Sequence, residues 1–409
     1  MLKGTVKLNG DKSISHRILL FGALASGGCT IYNLSTCQDV QRTINILKNC
    51  NIKINKENNK TTVVNSIVKP RVNRFYCGNS GTTARFMLGF LPSIGVSGTI
   101  YGDKSLSTRP MQRLIEPLLK MNINIKTIKN HLPITFEKSK IKPISLSIKH
   151  PSAQIKTALI FAALSSSSKT IIRDPFNTRN HTENIIKYLN GPKDYYSKFQ
   201  IKKFDYTVPG DISSASFIIA GALLIKGSDI LIQEVLFNET RIGYIKILQK
   251  MGAQISVLQK RTINFETVAD IRVQYTQNLQ AVHLTRADIV NMIDEIPIFA
   301  LISCFAKGTT SISHAAELRL KESDRIKSIV YNLKLCGGNV VEKPEGLTIK
   351  QSKLLYNTSI KSFHDHRIAM MCEILKLITL NDLTDDSQNN KIINTSFPKF
   401  YKHLRELHV

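Results

Sequence analysis

Apolar and polar positions follow one recurring pattern along most of the chain. Each copy begins with small polar residues, continues as an apolar run of helical length and ends, after a turn, in a short β-rich segment. Self-similarity of this kind is typical of a fold built from repeated units. Six copies are recognisable, of which the last has the weakest terminal strand: Ser13–Ile31, Ser80–Ile100, Ser152–Ile171, Ser213–Ile230, Asp294–Ile312 and Asp365–Ile378.

A second, amphipathic helix follows the strand in the better copies. In Arg241–Met251 the apolar residues recur at every third position, which is a helical spacing. This segment leads into another predicted strand at Ala253–Val257. The same features predict second helices at Asp39–Cys50, Arg109–Met121, Thr182–Leu189 and Ser323–Cys336. The chain therefore predicts a helix–strand–helix–strand module that is present six times.

Six such modules exceed one ordinary hydrophobic core. The length of 409 residues agrees with this, because one domain typically takes about 100–200 residues. We therefore predict an α/β (α+β) protein with two similar globular domains of three modules each.

The composition excludes several classes of protein. Hydrophobic residues make up 42% of the chain and charged residues 21%, as in globular proteins. No apolar run reaches the length of about 18 residues that a membrane span needs. The seven cysteines are scattered and form no C-x-x-C pair. This argues against a disulfide scaffold or a zinc finger, and it favours the reducing cytoplasm.

The net charge of +26 points to an anionic partner, which is nucleic acid, a membrane surface or a small multiply charged molecule. Much of the charge also fits a general surface bias toward lysine. Modules that bind nucleic acid usually interleave basic and aromatic residues, but aromatic residues are 7% of this chain and Trp is absent. Binding of nucleic acid is therefore the second hypothesis, behind small anions.

Polar motifs lie at the predicted helix starts, where free N–H groups and the helix dipole attract anions. Asp11–Arg17 places Lys12, Ser13 and Arg17 around one helix entry, which suits a phosphate or carboxylate. Gly78–Arg85 is a Gly-rich turn into a helix, and it lacks the P-loop pattern of nucleotide-binding proteins.

Three further polar motifs follow along the chain. Arg109 directly precedes a proline, Ser152–Lys156 offers hydroxyl and amide groups, and Thr178–Glu183 is a polar segment. The last either contacts a ligand or merely caps a helix. Gly210–Ala215 is interpreted as a structural turn and N-cap.

Two further motifs have residues suited to proton transfer. Asp294 and Glu295 precede a very apolar helix, where a partly desolvated carboxylate can serve as a base. Glu317–Arg325 packs six charges into nine residues. On a helix, Lys321 and Arg325 would share a face with Glu322 alongside, although a surface salt-bridge run is equally compatible. Asp365–Met370 adds a histidine and Arg367. Patterns typical of metallohydrolases, serine hydrolases and calcium loops are absent from the sequence.

The ordered set of motifs resembles the 5-enolpyruvylshikimate-3-phosphate synthase family. The resemblance extends essentially from end to end and rests on D-K-S-I-S-H-R, G-N-S-G-T-T-A-R-F-M, S-L-S-T-R-P-M, S-A-Q-I-K, P-G-D-I-S-S-A, L-R-L-K-E-S-D-R-I, D-H-R-I-A-M and the terminal S-F-P. It implies two domains, each of three β-α-β-α-β-β units (an inverse α/β barrel), joined by a double crossover. We expect these domains at residues 12–210 and at 1–11 plus 211–409, with the active site in the cleft between them.

The resemblance also implies an activity. Members transfer the enolpyruvyl group of phosphoenolpyruvate to the 5-hydroxyl of 3-phosphoshikimate through a tetrahedral intermediate, and phosphate leaves. The reaction requires neither a metal nor an organic cofactor. The implied partners are the two small-molecule substrates, with no nucleic acid or membrane, and we expect a monomer.

By resemblance, the site residues fall into three groups. Those implied to bind 3-phosphoshikimate are Lys12, Ser13, Arg17, Ser152, Ala153, Gln154, Thr178, Asp294 and Lys321. Those implied to bind phosphoenolpyruvate are Lys12, Asn79, Gly81, Arg109, Gln154, Arg325 and Arg367. The implied catalytic groups are Asp294 as the base for the 5-hydroxyl, the proton-handling pair Lys321 and Glu322, and Lys12.

One alternative family has the same architecture, and this sequence also departs from the family pattern at two positions. The related UDP-N-acetylglucosamine enolpyruvyl transferases use a cysteine on a mobile loop, whereas the comparable stretch Gly102–Met111 contains none. Ala153 replaces a second serine found in many members, and Thr395 lies where some members have a lysine that contacts phosphoenolpyruvate.

Overall fold

The computed structural model describes residues 1–64 and 70–409, which group into two units. Unit 1 contains Met1–Asn9, Pro209–Thr262 and Thr267–Val409, and unit 2 contains Gly10–Val208 and Ile263–Glu266. Across these described ranges, none of the helices has the length and apolar character that crossing a bilayer would demand.

Both units combine strands and helices in a mixed α/β arrangement. The strands are β1 (Lys3–Lys7), β2 (Cys29–Tyr32), β3 (Lys53–Glu57), β4 (Lys60–Val64), β5 (Arg74–Tyr76), β6 (Gly98–Tyr101), β7 (Ile125–Ile128), β8 (His131–Phe136), β9 (Ser145–Ser147), β10 (Ile171–Arg173), β11 (Phe204–Thr207), β12 (Asp229–Leu236), β13 (Ile255–Ile263), β14 (Glu266–Gln274), β15 (Thr309–Ile312), β16 (Asn339–Lys343) and β17 (Gly346–Lys350).

The helices are α1 (Lys12–Leu24), α2 (Gln38–Asn49), α3 (Gly81–Ser93), α4 (Lys104–Ser107), α5 (Gln112–Lys120), α6 (Ala153–Ala163), α7 (His181–Tyr188), α8 (Ile212–Leu224), α9 (Gly243–Lys250), α10 (Arg286–Met292), α11 (Ile296–Ser303), α12 (Arg325–Leu335), α13 (His366–Leu380), α14 (Ser387–Ile393) and α15 (Phe400–Leu407), with one 3₁₀ helix at Ala316–Leu320.

One sheet of unit 2 shows the repeated topology most clearly. Its strand order is β5-β6-β8-β7, in which β5 pairs in parallel with β6 and the other neighbours are antiparallel. A parallel pair needs a crossover connection, and α3 supplies it. Helix α5 then leads into the hairpin β7–β8. With the short helix α4 before α5, the local order is β-α-β-α-α-β-β.

The leading strands of two other sheets are exchanged along the chain. Strand β1 precedes α1 in sequence but pairs in parallel with β12 in unit 1. Strand β11 precedes α8 but pairs in parallel with β2 in unit 2. These two strands lie next to two of the points at which the chain passes between the units, Asn9–Gly10 and Val208–Pro209.

The prediction of six helix–strand–helix–strand modules is wrong for the sixth copy. The third copy has this order as α6, β10, α7 and β11, but it lacks the final hairpin that the resemblance implies. After α7, residues 189–203 form only an isolated bridge between Thr170 and Tyr196, so β9 and β10 make a two-stranded sheet. After α13 the described chain continues into α14 and α15 without a strand. Both segments are polar and lack the alternation of apolar residues that a half-buried hairpin requires.

Helices α6, α8 and α11 are buried almost throughout. Apolar residues dominate their sequences, which is typical of helices at the centre of a core. The amphipathic helices α2 and α9 instead bury one side. Because the central helices are enclosed, the polar residues at their starts are also held away from bulk water.

Lys156 lies on α6 with only 3% of its side chain exposed. Its Nζ atom is 2.8 Å from Asp174 Oδ2 and 2.7 Å from Glu183 Oε1. A buried ammonium group is tolerated only when carboxylates compensate for its lost hydration. We call these three residues the Lys156 triad.

We predict that Lys156→Met lowers the free energy of unfolding by about 3–5 kcal/mol, because two carboxylates lose their buried cation. Urea unfolding measures this value. Lys246→Met is the matched control, since Lys246 forms an exposed 2.6 Å pair with Glu239 and should cost less than about 1 kcal/mol. Equal effects of the two variants would show that the triad contributes no more than a surface pair.

Candidate active site

Three helices of unit 2 begin with a side-chain cap and pack together, α1 against α3 and α3 against α6. Asp11, Ser80 and Ser152 each accept a hydrogen bond from a backbone N–H of α1, α3 and α6, respectively. Gln154 Nε2 donates to Thr82 Oγ1 at 2.8 Å, which joins the starts of α6 and α3. The structure therefore brings several of the predicted binding motifs of unit 2 together.

Arg85 is a candidate that the sequence analysis missed. Its Nη1 atom donates to Gln154 Oε1 at 2.9 Å and to the Gly81 carbonyl at 3.3 Å. The helical spacing of Gly81 and Arg85, four residues apart, was the available signal, since residues four apart lie on one face. The same criterion had selected Ser13 and Arg17.

Arg85 and Arg109 both lie beside the first residue of α3. A Cβ atom on Gly81 would be 2.7 Å from Arg85 Nη1 and 3.2 Å from Arg109 Nη1. The helix N-terminus is itself positively polarised. Two guanidinium groups at this position therefore make a strongly cationic site that favours a phosphate or carboxylate.

Asn79 orients Arg109. The Oδ1 atom of Asn79 accepts a hydrogen bond from Arg109 Nη2 at 2.5 Å, and its Nδ2 atom donates to Asp103 Oδ2 at 2.8 Å. Arg109 is 6% exposed. Asp103 also caps α4 through a 2.8 Å bond from the Leu106 N–H. The predicted pair Asn79 and Arg109 is thus one hydrogen-bonded assembly.

Lys12 and Arg17 differ in their surroundings. Lys12 Nζ lies 2.9 Å from Asp39 Oδ2 in a partly exposed pair. Arg17 is 2% exposed, and its guanidinium lies over the ring of Phe86 at 4.9 Å. Its Nη1 atom donates to the Ser13 carbonyl at 2.7 Å. Its Nε atom donates to the hydroxyl group of Thr182, and its Nη2 atom donates to that of Thr157. In this structure the Arg17 guanidinium is therefore engaged by protein groups.

The remaining predicted residues of unit 2 lie at two turns. Ser152 accepts a 3.4 Å bond from the Ile155 N–H, and Ala153 is the first residue of α6. Thr178 is buried and its hydroxyl donates to Asp174 Oδ2 at 2.6 Å. Burial acts to raise the pKa of Asp174, but the hydrogen bonds from Lys156 and Thr178 outweigh it and hold that pKa below its usual value. Arg179 reaches Ser13 Oγ from the same turn, at 3.4 Å.

The predicted residues of unit 1 are centred on Arg325, whose side chain is 1% exposed. Arg325 Nη2 lies 2.6 Å from Glu322 Oε2, and Nη1 lies 3.4 Å from Asp294 Oδ1. Its Nε atom donates to Asp365 Oδ2 at 2.8 Å. Burial acts to lower the pKa of Arg325, but the carboxylates of Asp365, Glu322 and Asp294 outweigh it and raise that pKa. The guanidinium therefore remains charged.

Arg367 holds the candidate base from the other side. Its Nη1 atom donates to the backbone carbonyl of Asp294 at 2.8 Å, and its Nη2 atom is 3.9 Å from the Asp294 carboxylate. The side chain of Asp294 is 19% exposed, so it retains access to a ligand. A half-buried carboxylate between two guanidinium groups is a well-oriented proton acceptor.

The prediction that Lys321 and Arg325 share a helical face is wrong. The 3₁₀ helix ends at Leu320, Lys321 is extended (φ −85°, ψ −155°), and α12 begins only at Arg325. Asp324 caps α12 by accepting a bond from the Lys327 N–H, and a residue of this kind favours a new helix start over continuation of the old helix.

Lys321 lies in a strongly charged environment. Burial lowers its pKa below the ordinary value of 10.5, against the opposing effects of Asp294 and Glu317. Arg325 lowers it further and Glu322 acts to raise it. A lysine with a lowered pKa is a better proton donor and acceptor near neutral pH than a free lysine.

The family model described as EPSP synthase (3-phosphoshikimate 1-carboxyvinyltransferase) matches residues 1–404. The chain belongs to the EPSP synthase family. The prediction of this family from the ordered motifs is therefore confirmed.

Similar proteins cover the chain almost completely. A 3-phosphoshikimate 1-carboxyvinyltransferase of Oceanobacillus iheyensis is 38% identical over 99% of this chain and 97% of its own length. One from Staphylococcus aureus is 37% identical over 99% of this chain and 96% of its own length. The solved EPSP synthase of Acinetobacter baumannii is 30% identical with a TM-score of 0.84, and the alignment covers 100% of this chain and 96% of that one.

We predict that Gly81→Ala weakens the binding of phosphoenolpyruvate, the phosphorylated acid implied for this EPSP synthase family site, by about tenfold. Gly81 is the first residue of α3 and its φ is not in the left-handed region, so alanine fits the backbone. The added methyl group must instead displace the guanidinium groups of Arg85 and Arg109.

The KM for phosphoenolpyruvate, determined from phosphate release at saturating 3-phosphoshikimate, measures the effect. The midpoint of thermal unfolding is the control, and we expect it to change little. A large fall in that midpoint with parallel loss of both ligands would mean that Gly81 serves the local fold and not the anion.

Proposed function

We propose that this chain is a 3-phosphoshikimate 1-carboxyvinyltransferase that acts in the shikimate pathway. The observation that carries the proposal is the family match over residues 1–404. The two charged clusters support it, because both proposed substrates carry a phosphate and a carboxylate. One cluster is the cationic start of α3 in unit 2, and the other surrounds Asp294 in unit 1.

The proposed reaction has two steps. First, the 5-hydroxyl oxygen of 3-phosphoshikimate bonds to C2 of phosphoenolpyruvate, its proton leaves, and C3 gains a proton to give a tetrahedral intermediate. Then C3 loses a proton and the bond from C2 to the phosphate oxygen breaks. The products are the enolpyruvyl ether and inorganic phosphate, and addition followed by elimination leaves no net change of oxidation state.

We assign the proton transfers to unit 1. Asp294 accepts the proton of the 5-hydroxyl, since its carboxylate is oriented by Arg325 and by Arg367. Lys321 and Glu322 exchange protons with C3. The lowered pKa of Lys321 supports this role, because a lysine that loses its proton more readily can act in both directions.

We assign phosphoenolpyruvate to Arg109, Asn79 and Gly81 in unit 2, and to Arg325 and Arg367 in unit 1. The structure adds Arg85 to this group, because its guanidinium lies beside Gly81.

We assign 3-phosphoshikimate to the residues at the starts of α1 and α6. These are Lys12, Ser13, Arg17, Ser152, Ala153, Gln154 and Thr178, joined from unit 1 by Asp294 and Lys321. We further propose that Arg17 acts partly through Ser13, whose carbonyl it holds. We further propose that the catalytic unit is a monomer.

The proposal is tested by measuring phosphate release from phosphoenolpyruvate with and without 3-phosphoshikimate. We expect release only when both are present. We predict that Asp294→Asn lowers turnover by at least about a hundredfold, which is in the range for loss of a positioned base, while the affinity for 3-phosphoshikimate changes little. No release by the unmodified protein would overturn the proposed function, and near-normal turnover of the variant would assign the 5-hydroxyl proton to another group.

We predict an alkaline limb in the dependence of kcat on pH, with a midpoint below 10.5. Because burial lowers the pKa of Lys321, this lysine loses its proton at a lower pH than a free lysine does. Lys321→Arg should lower kcat and remove the limb, since arginine stays protonated throughout. Lys327→Arg is the control, because Lys327 is exposed on α12. A limb that survives in Lys321→Arg would exclude Lys321 as its origin.

A further inference from the structure

A buried carboxylate lies next to the candidate base and has no role in the reaction as assigned above. Glu295 directly follows Asp294 and is 2% exposed. It occupies the N-cap position of α11, but its side chain makes no capping hydrogen bond. Its Oε1 atom instead accepts a 2.5 Å hydrogen bond from Ser213 Oγ and lies 3.7 Å from Arg367 Nη1. Within the described residues, its Oε2 atom accepts no hydrogen bond.

Ser213 connects this carboxylate to a second arginine. Arg241 Nη2 donates to Ser213 Oγ at 2.9 Å, and Ser213 in turn donates to Glu295. Ser213 and Arg241 are both buried. The Gly210–Ala215 motif therefore supplies more than the turn and N-cap that the sequence predicted. We call Arg241, Ser213, Glu295 and Arg367 the Glu295 network.

The network constrains the peptide that carries Asp294. Arg367 donates from Nη1 to the Asp294 carbonyl, and the same atom faces the Glu295 carboxylate. Arg367 therefore contacts both residues, Asp294 through its backbone carbonyl and Glu295 through its carboxylate. A rotation of its guanidinium would break the bond to the carbonyl and separate the buried charges.

Because Glu295 is buried, water cannot stabilise the negative charge of its carboxylate. That charge is stabilised instead by Arg367 and by the hydroxyl group of Ser213. The dependence is mutual, since a buried guanidinium also needs an anion. Arg367 lies near both carboxylates, 3.7 Å from that of Glu295 and 3.9 Å from that of Asp294, and Glu295 is the more buried of the two.

We propose that Glu295 is a positioning residue that fixes the guanidinium of Arg367 and, through it, the backbone of Asp294. The consequence for the reaction rests on the proposed function, in which Arg367 binds phosphoenolpyruvate and Asp294 accepts a proton. The structural part concerns only the orientation of Arg367 in the free protein.

The variant Glu295→Gln distinguishes two roles for Glu295, namely orientation of the Arg367 guanidinium and simple reduction of the positive potential at the site. The amide oxygen can still accept the Ser213 hydrogen bond, but the negative charge beside Arg367 is gone. If Glu295 only reduced the positive potential of the site, its neutralisation would tighten the binding of phosphoenolpyruvate. Positioning predicts the opposite sign, namely a KM for phosphoenolpyruvate raised about tenfold and a kcat lowered by a similar factor. The affinity for 3-phosphoshikimate should change by less than twofold.

Glu373→Gln is the matched control, because Glu373 is a buried glutamate of unit 1 on α13 that bonds to Asn389. We expect its kinetic constants to stay near those of the unmodified protein. Ser213→Ala should reproduce part of the Glu295→Gln effect, since it removes the hydroxyl that orients the carboxylate. Unchanged or tightened phosphoenolpyruvate binding in Glu295→Gln would overturn the proposal.

A second measurement does not depend on activity. The Nε–Hε resonance of Arg367 in the free protein, assigned with Arg367→Lys, reports its orientation directly. We expect this resonance to shift or broaden in Glu295→Gln and to remain in place in Glu373→Gln. An unchanged Arg367 resonance in Glu295→Gln would overturn the positioning role even if the proposed reaction is correct, whereas a shift in an inactive protein would support it and reject only the proposed function.

Discussion

A buried guanidinium group must find oxygen acceptors within the protein, because water cannot reach it, and this requirement organises both units. In unit 2, Arg17 bonds to groups of α1, α6 and α7. In unit 1, Arg325 and Arg367 contact carboxylates from three different segments. Each buried arginine thereby fixes the starts of several helices relative to one another. The polar groups have few alternative arrangements, because each buried guanidinium group would otherwise lose its oxygen acceptors.

The helix starts could be predicted from the sequence because their determinants are local. Ser80, Ser152 and Asp365 each cap the helix that follows them, and the apolar runs behind them are long enough to be buried. The family followed from the order of these motifs. The same local reasoning was wrong at Lys321, where two competing signals lie close together. A charged run predicted one continuous helix, but the N-cap at Asp324 starts a new one.

What the sequence could not predict depends on contacts between distant residues. Asp294 and Glu295 are both acids at one helix start, and nothing local indicates that Glu295 is the more buried of the two. Its partner Ser213 lies 82 positions away. The spacing from Gly81 could have indicated Arg85 as a candidate, but its contact with Gln154 spans 69 positions and could not be predicted locally. The absence of hairpins from the third and sixth copies was not predicted either. The repeat pattern led us to expect the same strands in every copy, although the local sequence of these two copies does not support a hairpin.

The exchange of β1 and β11 has a consequence for synthesis of the protein on the ribosome. Lys3 pairs with Asp229, so the first strand has no partner until more than half of the chain has emerged. Most of unit 2 lies in one continuous segment and is completed earlier, when β11 pairs with β2. Domains generally fold as units during synthesis, and pairing of distant strands is slow. The amino-terminal strand is therefore made first, but its backbone N–H and C=O groups stay without a strand partner until β12 has emerged.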